Sequence, residues 1–187
     1  MSTFTIRVTS SATNPGGLSY GQQPDLGAKS YWDVYITNST DPSLPNGTYD
    51  GYCLNPFQLI FGNQSYGSQN WDANDPASFA NIGFSGLSQA KVDQINWVLA
   101  QNFTADPKFA NQYNYGEVQY AIWRILGFTD AQLTQELVDP FLTDNGRNSV
   151  SLPDANFILS AAEAAVAAGG RGVPYGTFFS EIIDPDG

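Results

Sequence analysis

The sequence contains no histidine, and this absence excludes more chemistry than any motif establishes. Without imidazole the chain can form neither a Ser-His-Asp triad nor a Cys-His pair, and it offers a metal no imidazole ligand. Cys53 is the only cysteine, so an intrachain disulfide framework and a thiolate metal cluster are excluded as well. Any reaction of Cys53 therefore proceeds without a histidine base.

Basic residues and long apolar runs are also scarce. Seven Lys and Arg stand against 18 Asp and Glu, and the resulting net charge of -11 disfavours phosphate binding and an acidic membrane surface. No apolar run approaches the roughly 20 residues that span a bilayer, and the N-terminus lacks a basic segment followed by an apolar one. We predict no nucleic-acid partner and no membrane insertion, and we expect a monomeric domain of a longer protein.

What the chain does contain is enough apolar sequence, 42% of 187 residues, for one packed domain. Five short segments have the alternation or β-branched and aromatic content of strands: 4–8, 31–37, 49–54, 57–61 and 177–183. In the second of them Val34 and Ile36 fall on one face and Tyr35 on the other. The polar stretch 62–86 has no clear periodicity, which predicts a long surface loop over a functional site.

Four segments have the apolar spacing and the end signals of helices: 88–102, 115–126, 129–137 and about 153–168. Asn114 and Glu117 have the spacing of a cap for the second helix, and Gly127 is placed to end it in a left-handed conformation. Thr129 and Gln132 form the capping-box pattern of the third.

The order of strands, then helices, then a strand predicts an α+β fold, a β-sandwich or barrel-like sheet with an inserted helical subdomain. We expect residues 1–187 to form a single domain. Its β part would take in about 1–62 and 173–184, and its helical part about 86–170.

Gln119 lies near the N-terminal end of the predicted helix 115–126, at the margin of a buried stripe marked by Val118 and Ile122. Unpaired N–H groups and the positive end of the helix dipole stabilise a thiolate or a tetrahedral oxyanion in such a place. A cysteine brought there can attack the carboxamide and expel ammonia. Taken singly, however, a lone cysteine is usually a small buried hydrophobe, and Gln119 is an ordinary helix residue.

Two short motifs combine these residues: Tyr52-Cys53-Leu54 on a predicted strand, and Val118-Gln119-Tyr120-Ala121-Ile122-Trp123 on the helix. Together they resemble the bacterial thioester domains of surface adhesins, also called TQXA domains. The segment Ile95-Asn96-Trp97-Val98-Leu99 is similar to the middle of that family, so the resemblance covers about residues 31–170. Val118 stands where the family often has Thr.

The resemblance implies an internal thioester between Cys53 and Gln119 that captures a primary amine of a target molecule as an amide. It implies an extracellular, bacterial cell-surface adhesion module whose partner carries lysine or polyamine amines. The module reacts once and needs no cofactor, so it is not an enzyme. Because water hydrolyses thioesters, the site needs shielding, and Tyr52, Tyr120 and Trp123 are the candidates.

Other interpretations stay open. The chain can be a noncovalent carbohydrate- or protein-binding adhesin in which Cys53 is structural, whereas the lack of histidine disfavours a cysteine acyltransferase. Glu117 and Asp50 are near enough in sequence to act as a base, although a cap and a strand-edge position explain them more simply. Asp72-Ala73-Asn74-Asp75 supplies oxygen ligands without full EF-hand spacing, so we predict no metal site.

Overall fold

A computed structural model describes residues 3–9, 31–42, 44–52, 54–55, 65–103, 106–109, 112–113, 115–137, 150–171 and 178–183. Over these residues the chain is a mixed α+β protein, as the order of predicted elements indicated. A single antiparallel sheet lies against a group of helices, and one hydrophobic core joins the two.

Five strands form the sheet: β1 Thr3–Thr9, β2 Tyr31–Thr37, β3 Gly47–Tyr52, β4 Ser65–Asp72 and β5 Phe178–Ile183. Their order is β3-β2-β1-β4-β5, with every neighbouring pair antiparallel. Ile6 and Ile36 are register partners and are both buried, while Tyr35 is exposed on the opposite face, as its alternation predicted. Among the described strands β3 and β5 lie at the two edges of the sheet, so these strands do not close into a barrel.

The described helices are α1 Pro76–Ala80, α2 Gln89–Gln101, α3 Tyr115–Leu126, α4 Asp130–Leu137 and α5 Leu152–Ala167, with a 3-10 turn at Pro107–Phe109. All four predicted helices are confirmed. The Ser88 side chain caps α2 by accepting from Lys91 N, and Asn102 ends it in a left-handed conformation at φ 51°.

The junction between α3 and α4 follows the predicted end signals closely. Gly127 has φ 109° and donates to Arg124 O at 3.1 Å, while Phe128 N donates to Trp123 O at 3.1 Å, which is a Schellman ending. Thr129 N then donates to Gln132 Oε1 at 2.8 Å, and Gln132 N donates to Thr129 Oγ1 at 3.3 Å. This reciprocal capping box starts α4 shortly after the end of α3.

The predicted loop at 62–86 is wrong, because Ser65–Asp72 is strand β4 and Pro76–Ala80 is helix α1. β4 is rich in Ser, Gln and Asn, so it has no hydrophobic periodicity to reveal it. Its place in the sheet comes from backbone pairing with β1 on one side and β5 on the other. The predicted strand 57–61 and the proposed cap Asn114 lie outside the described residues, and the predicted strand 49–54 is observed as Gly47–Tyr52.

Helix α3 is the central element of the core. It contacts α2, α5 and strand β2, and every residue from 116 to 126 is buried except the half-buried Arg124. The core joins sheet residues such as Phe4 and Ile36 to helix residues such as Phe79 and Ile95. Among the described residues, no helix combines the length and the apolar character that crossing a membrane requires.

Candidate functional site

Gln119 is fully buried, with 1% of its surface exposed. The predicted position at the margin of a buried stripe is wrong. Because α2, α5 and the sheet all contact α3, its buried surface is wider than a single stripe and includes Gln119. Removing a carboxamide from water costs free energy that hydrogen bonds must offset. A buried Gln in the first half of a central helix therefore has a structural or chemical function that its residue type alone does not predict.

Cys53, the predicted thiol partner, lies outside the described residues, but both of its neighbours are described. Tyr52 ends β3, Leu54 follows, and both are half-buried and packed against the hydrophobic core. Val118 and Tyr120, which flank Gln119, belong to the same core. The chain on either side of Cys53 and the helix that carries Gln119 thus bury their side chains in one cluster.

The sheet provides a short connection between these two parts of the chain. β3, whose last residue is Tyr52, pairs along its length with β2, and β2 contacts α3. The register places Tyr52 opposite Tyr31, at the first residue of β2. The site is therefore built from one edge of the sheet and the helix packed on its neighbouring strand.

Tyr120 follows Gln119 in α3 and is buried, and its hydroxyl contacts the first residue of α4. The hydroxyl donates to Asp130 Oδ1 at 2.6 Å, and Arg124 Nε lies 2.9 Å from the same oxygen. Arg124 Nη1 also donates to Phe128 O at 2.7 Å. Burial, followed by the hydrogen bond to Asp130, raises the pKa of Tyr120 to about 12. Tyr120 therefore joins α3 to the start of α4.

We expect Tyr120→Phe to flatten the alkaline part of the stability profile. Because the pKa of Tyr120 is about 12 in the folded protein against 10.0 ordinarily, its contribution is complete below about pH 10 and is lost as pH rises toward 12. Urea unfolding at several pH values from 8 to 11 measures this. The variant should lose less stability above pH 10 than the wild type does. Parallel curves would contradict the raised pKa of Tyr120.

Glu117 is also buried, with 3% of its surface exposed, and it contacts a distant part of the chain. Its Oε1 accepts a hydrogen bond from Ser151 N at 3.1 Å. Ser151 is the N-cap of α5, and its hydroxyl accepts from Asp154 N at 3.4 Å. Sequence reasoning missed Ser151, although the capping pattern that Ser151 and Asp154 form before an apolar run marks it as a helix start.

Tyr113 lies near this carboxylate and is buried. Burial raises the pKa of the Tyr113 phenol, and the negative charges of Asp154 and Glu117 raise it further. Its ring stacks on Phe157, with centroids 6.0 Å apart and an interplanar angle of 12°. The N-terminal ends of α3 and α5 are therefore joined by a hydrogen-bonded carboxylate and by aromatic packing.

The remaining predicted site residues have varied positions. Trp123 is 1% exposed and belongs to the core, as does the half-buried Tyr52 at its edge. The side chain of Asp50 is outside the described part of the structure, as is Cys53. Tyr52 and Trp123 thus share one core, and Gln119 is buried on the same helix as Trp123.

The acidic turn after β4 has a structural use. Asp72 Oδ1 accepts from Asn74 N at 2.9 Å, and Asp75 Oδ1 accepts from Ala77 N at 2.9 Å, which caps α1. Within the described ranges, no group of three or more His, Cys, Asp or Glu side chains is arranged to hold a metal ion.

No protein-family model, curated protein or solved structure matches the chain. The two motifs and the positions of their described residues are what point to a function.

Proposed function

We propose that the chain is a covalent adhesion module that captures primary amines through a thioester between Cys53 and Gln119. The observation that carries the proposal is the burial of the Gln119 carboxamide, 1% exposed, in a core that the neighbours of Cys53 also enter. A thioester formed there is protected from bulk water, which would otherwise hydrolyse it.

Bond formation needs only the two side chains. The Cys53 sulfur attacks the Gln119 carboxamide carbon, the carbon–nitrogen bond breaks, and the thiol proton leaves with the departing ammonia. Gln119 is in the first half of α3, where the positive end of the helix dipole favours the developing oxyanion. No histidine is required.

Amine capture then consumes the bond. A deprotonated primary amine attacks the Gln119 acyl carbon, the carbon–sulfur bond breaks, and the sulfur takes up the amine proton. The products are an amide on the former Gln119 side chain and a free Cys53 thiol. Because an amide is stable and no group regenerates the acyl donor, the module reacts once rather than turning over.

The proposal also includes where the module acts and on what. The module acts outside the cell at a bacterial surface, as a monomeric domain of a longer protein, on a target that carries lysine or polyamine amines. The finer architecture that we propose is a β-sandwich or barrel-like arrangement with the helices inserted, of which the described strands supply one open sheet.

Intact mass spectrometry tests the function directly. Freshly prepared protein should be lighter than the calculated chain by one ammonia and should have no titratable thiol. Methylamine should then add one molecule per chain and release one thiol. A full calculated mass together with a titratable Cys53 would contradict the proposal.

A noncovalent adhesin is the second candidate, and one observation favours it. Phe157 is 55% exposed and stacks on the buried Tyr113, which is the kind of aromatic platform that sugar rings contact. The two functions separate cleanly in the mass experiment, since a noncovalent adhesin keeps the full calculated mass and is unaffected by methylamine.

A further inference from the structure

Glu117 is a second buried polar side chain of α3, two residues before Gln119. Its Oε1 accepts from the backbone N–H of Ser151, 34 residues away, at the first residue before α5. The carboxylate lies in the first turn of α3 and beside the N-cap of α5, so the positive ends of two helix dipoles favour its charge. Glu117 therefore makes a long-range contact and is not a solvent-exposed charge.

The first turn is the part of α3 that such a contact stabilises most. The first four N–H groups of a helix have no partner within the helix, and helix ends fray for that reason. Gly116 weakens this turn further, because glycine loses more backbone freedom than other residues on entering a helix. Gln119, the fifth residue of α3, comes directly after this turn.

We infer that Glu117 is a positioning residue for the thioester, an inference that rests on the proposed function. Its hydrogen bond to Ser151 N holds the first turn of α3 against α5, and this sets where Gln119 meets the incoming sulfur. Reactions between two fixed groups depend steeply on such placement, since a displacement of about 1 Å can cost on the order of 100-fold in rate.

Two matched pairs of variants isolate this hydrogen bond. Glu117→Gln retains an oxygen acceptor of nearly the same shape, whereas Glu117→Leu has a similar volume and no acceptor. Ser151→Ala removes the capping hydroxyl and keeps the backbone N–H, whereas Ser151→Pro removes both. Proline fits this position because Ser151 has φ -74°.

Circular dichroism first verifies that each variant is folded. Intact mass then shows whether the mass deficit is present and gives the rate at which methylamine is captured. We expect Glu117→Leu and Ser151→Pro to capture methylamine about tenfold more slowly or to lack the mass deficit, given the steep distance dependence. Glu117→Gln and Ser151→Ala should stay within about twofold of the wild type, because both keep the donor and an acceptor. Rescue by these two variants distinguishes positioning from a general loss of stability.

The outcomes separate this inference from the proposed function. A wild type without the mass deficit overturns both. A wild type with the deficit, together with Ser151→Pro and Ser151→Ala variants that capture methylamine at equal rates, overturns only the role of Glu117. If Glu117→Leu does not fold, the Ser151 pair decides.

Discussion

Gln119→Ala is expected to abolish amine capture completely. Without the carboxamide there is no acyl carbon for Cys53 to attack, so the variant should have its full calculated mass, one titratable thiol and no methylamine adduct. Gln112→Ala is the matched control, because Gln112 is exposed and lies outside α3. It should retain both the mass deficit and the adduct. An adduct on Gln119→Ala would place the acyl donor elsewhere in the chain.

The proposed thioester should also stabilise the folded protein. A cross-link between Cys53 and Gln119 closes a loop of several tens of residues, which in the chain-entropy model stabilises the folded state by about 4 kcal/mol. Cys53→Ala and Gln119→Ala should each remove that contribution, as should opening the bond with methylamine.

The double variant makes this test quantitative. If one bond joins the two residues, the loss in the double variant should be much smaller than the sum of the two single losses. Urea unfolding of the four proteins measures the difference. Additive losses would indicate two independent core residues and no bond between them.

The sequence predicted the helices well because their boundaries are determined by local interactions. Ser88, Gly127 and the Thr129–Gln132 pair all make the end contacts that their residue types favour. Such contacts join residues within a few positions of one another, so they can be predicted from the chain alone.

The predictions from sequence are wrong or incomplete where tertiary contacts determine the structure. β4 has a polar sequence and is a strand because β1 and β5 pair with it on both sides. Glu117 has the spacing of a local cap, and its sequence did not predict the contact with Ser151, 34 residues away. The full burial of Gln119 likewise depends on α2, α5 and the sheet, none of which its own helix reveals.

The three residues predicted to shield the thioester differ in their tertiary contacts. Tyr120 directs its hydroxyl to Asp130, and Tyr52 is only half-buried at the sheet edge. Trp123 is the largest fully buried side chain of α3, one turn after Gln119. Trp123 therefore fills core space close to Gln119, and the shielding of Gln119 depends on that packing. Of the three side chains, its removal should lower the stability of the protein most.

Trp123→Ala is expected to destabilise the protein by about 3 to 5 kcal/mol, the usual cost of removing a large buried aromatic side chain and leaving a cavity. Phe157→Ala, in which a 55% exposed aromatic is truncated, is the matched control and should cost far less. Urea unfolding of methylamine-treated protein separates this packing effect from that of the proposed cross-link. Equal losses in the two variants would mean that Trp123 does not fill the core, because only a buried ring leaves a cavity when it is removed.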